Sequence, residues 1–81
     1  MSVRVLFFGH LRDFVPPEGV TLSLPTGSTV TQAAHALVAR DTRFSDLLTR
    51  CRYAVNADFA DASTVLNNND ELAFLPPMSG G

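Results

Sequence analysis

The sequence predicts an α+β domain, a mixed sheet of four to five strands packed on one main helix. Three observations carry this: strand-like runs with period-two alternation at both ends of the chain, one stretch with helical spacing between them, and turn-forming clusters at the junctions. In order, the stretches read strand, strand, helix, strand, short strand, strand, with no internal repeat or linker.

Val3-Arg4-Val5-Leu6-Phe7-Phe8 is rich in β-branched and aromatic residues and stops at Gly9. Alternation places Val3, Val5 and Phe7 on one face and Arg4, Leu6 and Phe8 on the other. Pro16-Pro17-Glu18-Gly19 reads as a turn, and Val20 to Leu24 alternates as a half-buried second strand paired to the first through a long connection. Pro25-Thr26-Gly27 breaks that strand. Thr29 and Gln32 have the spacing of a capping box, and Val30, Ala33, Ala34, Leu37 and Val38 follow as one apolar stripe. A break at Asp41-Thr42 precedes Phe44, Leu47 and Leu48, which fit a short second helix. Tyr53 to Asn56 reads as the third strand, Ala57-Asp58 as a turn, and Thr64-Val65-Leu66 as a brief edge strand. Asn67-Asn68-Asn69-Asp70 turns the chain into the last strand, Glu71 to Leu75. The first and last strands are expected side by side and parallel at the centre.

A chain of 81 residues builds one core, and 46% hydrophobic with 17% charged residues is the balance of a folded domain rather than a disordered one. A formal net charge of -2 and arginines scattered along the chain offer no basic field, so no nucleic-acid partner is expected. The apolar run at the amino end is far shorter than a signal h-region or a membrane span, so the expectation is a cytoplasmic protein without a membrane partner. The lone Cys51 makes neither a disulfide nor a four-ligand metal site. His10 and His35 occupy unrelated places, Asp13, Glu18, Asp58 and Asp61 lack ligand spacing, and Gly27 stands alone before its helix. No catalytic centre or metal site is therefore expected within the domain.

The end of the chain carries the chemistry. Pro76 and Pro77 lack the amide proton a ladder needs and send the following residues out in an extended course. Residues 76–81 are read as a flexible tail on a 1–75 domain; six residues span at most about 20 Å, enough to thread a neighbouring protein's pocket. Gly80 and Gly81 pass a narrow channel and leave the terminal carbonyl open from either face. A carboxylate is a poor electrophile until a nucleotide-using partner converts it to an acyl adenylate, which a sulfur or nitrogen nucleophile can then attack.

Val5-Leu6-Phe7-Phe8-Gly9-His10-Leu11-Arg12-Asp13, Ala54-Val55-Asn56 and Asp70-Glu71-Leu72-Ala73-Phe74-Leu75-Pro76-Pro77-Met78-Ser79-Gly80-Gly81 together resemble the MoaD-like branch of the ubiquitin-like sulfur carriers, the molybdopterin synthase small subunits. The likeness covers essentially the whole chain, and the closing motif is its most specific part. Asn67-Asn68-Asn69 departs from it, because the family usually has a glycine in that turn; Asn tolerates the left-handed conformation and preserves it. The resemblance implies a β-grasp fold and a non-catalytic sulfur-donor subunit of a heterotetrameric sulfurtransferase. It implies that an E1-like adenylyltransferase, using ATP and Mg2+, activates Gly81 and that a persulfide-bearing sulfurtransferase supplies the sulfur of a Gly81 thiocarboxylate. The domain itself would bind no cofactor. The tail, Pro76, Pro77, Met78, Ser79, Gly80 and Gly81, would enter the large subunit and deliver sulfur to cyclic pyranopterin monophosphate.

Phe8, Phe59 and Leu75, with Arg12 and with Met78 at the channel mouth, are the expected contact residues for the large subunit and the activating enzyme, because exposed apolar clusters mark partners. The competing reading buries Phe8, Phe59 and Leu75 as a minor core beneath the second helix. Two other functions share parts of the pattern: a carrier for thiazole synthesis or tRNA thiolation, and a TGS-like binding module, whose helix start Leu24 to Val30 resembles. All six basic residues are arginine. A GC-rich coding sequence accounts for this; a lysine-free carrier would also offer its activated tail no side-chain amine.

Overall fold

Val3, Val5 and Phe7 are buried while Ser2, Arg4 and Phe8 are exposed, so the first strand turns one apolar edge to a core and the other outward. In the computed structural model, which describes residues 1–8, 19–45 and 51–75, this strand is β1, Ser2–Phe7. It is followed by β2 (Val20–Ser23), α1 (Val30–Arg40), β3 (Arg52–Val55), β4 (Asp58–Ala60) and β5 (Glu71–Leu75). The five strands form one sheet in the order β2-β1-β5-β3-β4. β1 and β5 run parallel, with Arg4 opposite Glu71 and Leu6 opposite Ala73, and the other pairs are antiparallel. This is the expected α+β β-grasp arrangement, with β5 at the centre of the sheet.

The helix begins where the sequence places it. The Thr29 backbone N–H donates to Gln32 Oε1 (2.8 Å), and the Gln32 N–H donates back to Thr29 Oγ1 (3.4 Å). Val30, Ala33 and Leu37 are buried and Ala34 and Val38 half-buried, whereas His35 is exposed, off the stripe. The helix packs on Val3, Val5, Phe7, Leu22, Leu72 and Phe74 of the sheet.

Phe44 and Ser45 are helical, as expected for the start of a second helix; Leu47 and Leu48 lie outside the described residues. Phe44 is buried and stacks on Phe7 with ring centroids 5.3 Å apart; Phe7 stacks on Phe74 at 5.6 Å, and Tyr53 meets Phe74 edge-on at 5.6 Å. This file of four rings lies on the helix side of the sheet. Phe44 therefore serves the main core and does not cover the outer face.

The edge strand differs from expectation. It is Asp58–Ala60, and the turn before it is Asn56-Ala57, both in the left-handed region (φ 51° and 72°), rather than Ala57-Asp58. Two such residues make the tight reversal that suits a hairpin, so the chain pairs with β3 at once. Thr64 to Leu66 form no strand: Val65 makes one isolated bridge to Thr29, Leu66 N–H donates to Ser28 O (2.8 Å), and Val30 N–H donates to Thr64 O (3.0 Å). This segment fastens the start of the helix and buries Leu66. The asparagine turn keeps the expected left-handed residue at Asn69 (φ 69°).

Candidate functional site

The ladder registers fix which side chains share the sheet's outer face. One row crosses four strands, Leu6, Ala73, Ala54 and Phe59, each opposite the next. Leu75 lies opposite Arg52 one step along the strands, about 7 Å away, and Phe8 extends β1 beside it through its N–H donated to Phe74 O (3.2 Å). Phe59 is 77% exposed and Phe8 44%, while Leu6 and Leu75 are half-buried. The structure thus brings Phe8, Phe59 and Leu75 onto one surface. Arg12, Pro76, Pro77, Met78, Ser79, Gly80 and Gly81 lie outside the described residues.

Between the large side chains is a depression of about 240 Å3. Ala54 and Ala73 form its floor, Leu6, Phe8, Phe59 and Leu75 stand around it, and Ala57 and Glu71 close one end. Ala54 is buried without belonging to the helix-side core; its row neighbours cover it. The sequence reading identified the rims and missed the floor. The available signal was the pair of alanines facing outward in β3 and β5 amid larger residues, which leaves room above them.

The end of the depression is held by one asparagine. Asn56 N–H donates to Glu71 O (2.8 Å), its Oδ1 accepts from Glu71 N–H (3.0 Å), and its Nδ2 donates to Asp70 Oδ1 (2.9 Å). The other oxygen of Asp70 accepts from Asn67 N–H (2.8 Å). These bonds tie the β3-β4 turn to the head of β5 and so fix Ala57 and Phe59 relative to Ala73. Asn56 is the polar member of the Ala54-Val55-Asn56 signature, and its role is to lock the turn.

A second, polar depression of about 390 Å3 lies between Ser2, Arg4, Thr21, Asn69 and Glu71, toward the opposite end of the face. Arg4 and Glu71 are neighbours in the parallel ladder, but no ion pair joins their side chains. Burial pushes the Cys51 thiol up from its ordinary pKa, which makes it a poor nucleophile near neutral pH. Among the described residues no three His, Cys, Asp or Glu side chains gather as metal ligands, and no helix is long and apolar enough to cross a membrane.

The arrangement is an apolar depression on the outer sheet face, adjoining the strand end at Leu75. Comparison with known proteins agrees with the fold that carries it. The sequence profile of the ThiS family matches residues 5–81. A molybdopterin synthase sulfur carrier subunit of Mycobacterium tuberculosis is 37% identical over an 84-residue alignment covering all of this chain and 99% of that one. Its counterpart in Arabidopsis thaliana is 30% identical over 81 residues, covering all of this chain and 84% of that protein. Among solved structures, SAMP1 of Haloferax volcanii has a TM-score of 0.84 at 25% identity with both chains fully covered. A chain in the complex of subunits 1 and 2 of the molybdopterin-converting factor from Helicobacter pylori has a TM-score of 0.72 at 26% identity, again with full coverage. From its first strand to its glycine pair, the chain belongs to the ThiS family of β-grasp sulfur carriers.

Proposed function

We propose that this protein is the sulfur carrier subunit of a molybdopterin synthase. The observation that carries the reading is the end-to-end match to molybdopterin synthase sulfur carrier subunits, which includes the closing Pro76-Pro77-Met78-Ser79-Gly80-Gly81. An E1-like adenylyltransferase joins the Gly81 carboxylate to AMP, using ATP and Mg2+ and releasing pyrophosphate. The outer sulfur of a persulfide on a sulfurtransferase then attacks the acyl adenylate and expels AMP. A thiol cleaves the S–S bond of the resulting acyl disulfide, releasing the Gly81 thiocarboxylate and leaving a disulfide behind. Residues 1–75 serve as the presenting domain. The tail enters the large subunit and passes sulfur to cyclic pyranopterin monophosphate; two transfers complete the dithiolene.

In this reading Phe8, Phe59 and Leu75, with Met78 and Arg12, contact the large subunit and the activating enzyme in turn. Exposed apolar side chains gathered on one sheet face beside the tail's origin support that assignment. The names of these relatives favour the pterin branch over thiazole synthesis or tRNA thiolation. The test is the intact mass of the chain after coexpression with an E1-like enzyme and a persulfide sulfurtransferase. The expected product gains the mass difference between one sulfur and one oxygen, located at Gly81, and restores molybdopterin formation when mixed with a large subunit. An unchanged mass with both enzymes active would refute the reading.

A further inference from the structure

The turn that leads into β5 holds three of the chain's four asparagines, Asn67, Asn68 and Asn69; the fourth is Asn56 in the β3-β4 turn. Asparagine is a thermolabile residue. It is altered without an enzyme when the backbone nitrogen of the next residue attacks its side-chain carbonyl carbon. That step requires a side chain free to turn and a following amide not engaged as a donor. The structure denies one or both conditions to three of the four. Asn56 is held through both side-chain atoms, Oδ1 by the Glu71 N–H (3.0 Å) and Nδ2 by Asp70 Oδ1 (2.9 Å). Asn68 Oδ1 accepts from the Ser2 N–H (2.7 Å), and the Asn69 N–H that follows it donates to Ser2 O (2.7 Å). The nitrogen that follows Asn69 is that of Asp70, whose N–H donates to Asn67 O (3.1 Å). Asn67 alone meets both conditions. It is exposed, and among the described residues neither its side-chain amide nor the Asn68 N–H has a hydrogen-bond partner.

We propose that Asn67 is the position at which this domain undergoes spontaneous deamidation and isomerisation, and that the change loosens the entry to β5. The Asn68 nitrogen, its proton lost to solvent base, bonds to Asn67 Cγ. The Cγ–Nδ2 bond breaks and ammonia leaves, so that a cyclic imide joins residues 67 and 68. Water then opens the imide. Attack at Cγ gives aspartate, and attack at the main-chain carbonyl carbon gives isoaspartate, whose backbone runs through Cβ and Cγ and is longer by a carbon. Nothing is oxidised or reduced; water enters and ammonia departs. Asn67 serves the fold through its backbone alone: its N–H donates to Asp70 Oδ2 (2.8 Å), and its carbonyl closes the turn. In isoaspartate that carbonyl has become a free carboxylate, near the buried Asp70 carboxylate that Asn56 also grips. Both bonds between residues 67 and 70 lose their geometry together, and the added negative charge repels Asp70. The Arg4 N–H donates to Asp70 O (3.0 Å), so the disturbance falls where β5 joins β1. This chemistry belongs to the chain itself and is independent of the carrier reading.

The experiment incubates the full chain in mildly alkaline buffer at physiological temperature, natively and in urea. Peptide mapping follows each asparagine, with electron-transfer fragmentation to separate isoaspartate from aspartate. An altered site gains the mass difference between an oxygen and an NH group. In the native chain Asn67 is expected to react about five- to thirtyfold faster than Asn56, Asn68 or Asn69, the factor that one or two hydrogen bonds are worth. In urea the preference should shrink to about twofold or less, because the fold no longer protects the other three. The isoaspartate form, separated by ion exchange, should melt about 4–8 °C below the parent. Asn67→Gln, whose longer side chain disfavours the ring, should melt with the parent and accumulate no product at position 67. Earlier reaction at another asparagine, an undiminished preference in urea, or an isoaspartate form that melts with the parent overturns the proposal. None of these outcomes touches the proposed sulfur transfer, which the mass at Gly81 tests separately.

Discussion

Phe7 and Phe8 are adjacent and identical in type, yet the sheet sends them to opposite faces, and replacing each in turn by alanine tests that division. Phe7 is 6% exposed and its ring is stacked between Phe44 and Phe74. Removing a buried phenylalanine costs about 3–5 kcal/mol, and the loss of two ring contacts worth about 0.5–1.5 kcal/mol each places Phe7→Ala toward the upper end. Phe8 keeps 44% of its surface in water. Full burial of such a side chain is worth about 1.5–3 kcal/mol, so Phe8→Ala should cost only about 1–1.5 kcal/mol. Domains of this length are stable by roughly 4–12 kcal/mol, so Phe7→Ala would remove a large share of the stability, and all of it at the low end, while the Phe8 variant stayed native in water. Urea melts followed by circular dichroism give both midpoints, with a constant slope showing that the denatured state is unchanged. If Phe8→Ala lost as much stability as Phe7→Ala, the outer face would be a second core and the docking surface would not exist.

Ala57 holds a left-handed φ of 72° in the β3-β4 turn. Ala57→Gly should raise stability by about 0.5–1 kcal/mol, read as a higher urea midpoint; a lower one would mean that the methyl group contributes more than the strain costs. Gly19, at φ 88°, has no room for a Cβ, which would meet the Val5 carbonyl oxygen. Gly19→Ala should therefore cost about 3 kcal/mol and lower the thermal midpoint sharply. The Asp41 carboxyl is held below the usual carboxylate range, chiefly by the hydrogen bonds from the Arg43 side chain (2.6–3.0 Å) and also by the Arg43 backbone N–H. A depressed folded-state value means that this contribution is present above the ordinary carboxylate pKa and fades as pH falls through the folded one. A carboxyl titration by NMR should show Asp41 moving up toward the ordinary value in Arg43→Gln.

Patterns that act within one element were legible in the sequence. Thr29 and Gln32 announced the helix start because a cap needs only residues three apart, and strict alternation assigned Val3, Val5 and Phe7 to one face and Leu6 and Phe8 to the other. Features that depend on pairing were legible only in part: the parallel central pair of first and last strands was expected and is present, whereas the edge strand was not. Thr64-Val65-Leu66 has better strand composition than Asp58-Phe59-Ala60, but the turn at Asn56-Ala57 delivers the latter to β3 first, and the former is drawn to the helix start. The candidate site divides the same way. Phe8, Phe59 and Leu75 stand out as large apolar residues, whereas Ala54 and Ala73 acquire meaning only when the registers set them in one row.

The place of β5 makes the fold conditional on its final strand. Without it the sheet separates into two hairpins, β1-β2 and β3-β4, neither of which is expected to stand alone in water. Arg4 and Glu71 meet across nearly the whole described chain, and closing so long a loop is costly in chain entropy. A nascent or damaged copy whose β5 has not docked lacks the joined five-stranded sheet and has no anchored strand end at Leu75. The architecture thus acts as its own proofreading: only a completely folded domain holds in place the strand end from which the proposed carrier segment continues.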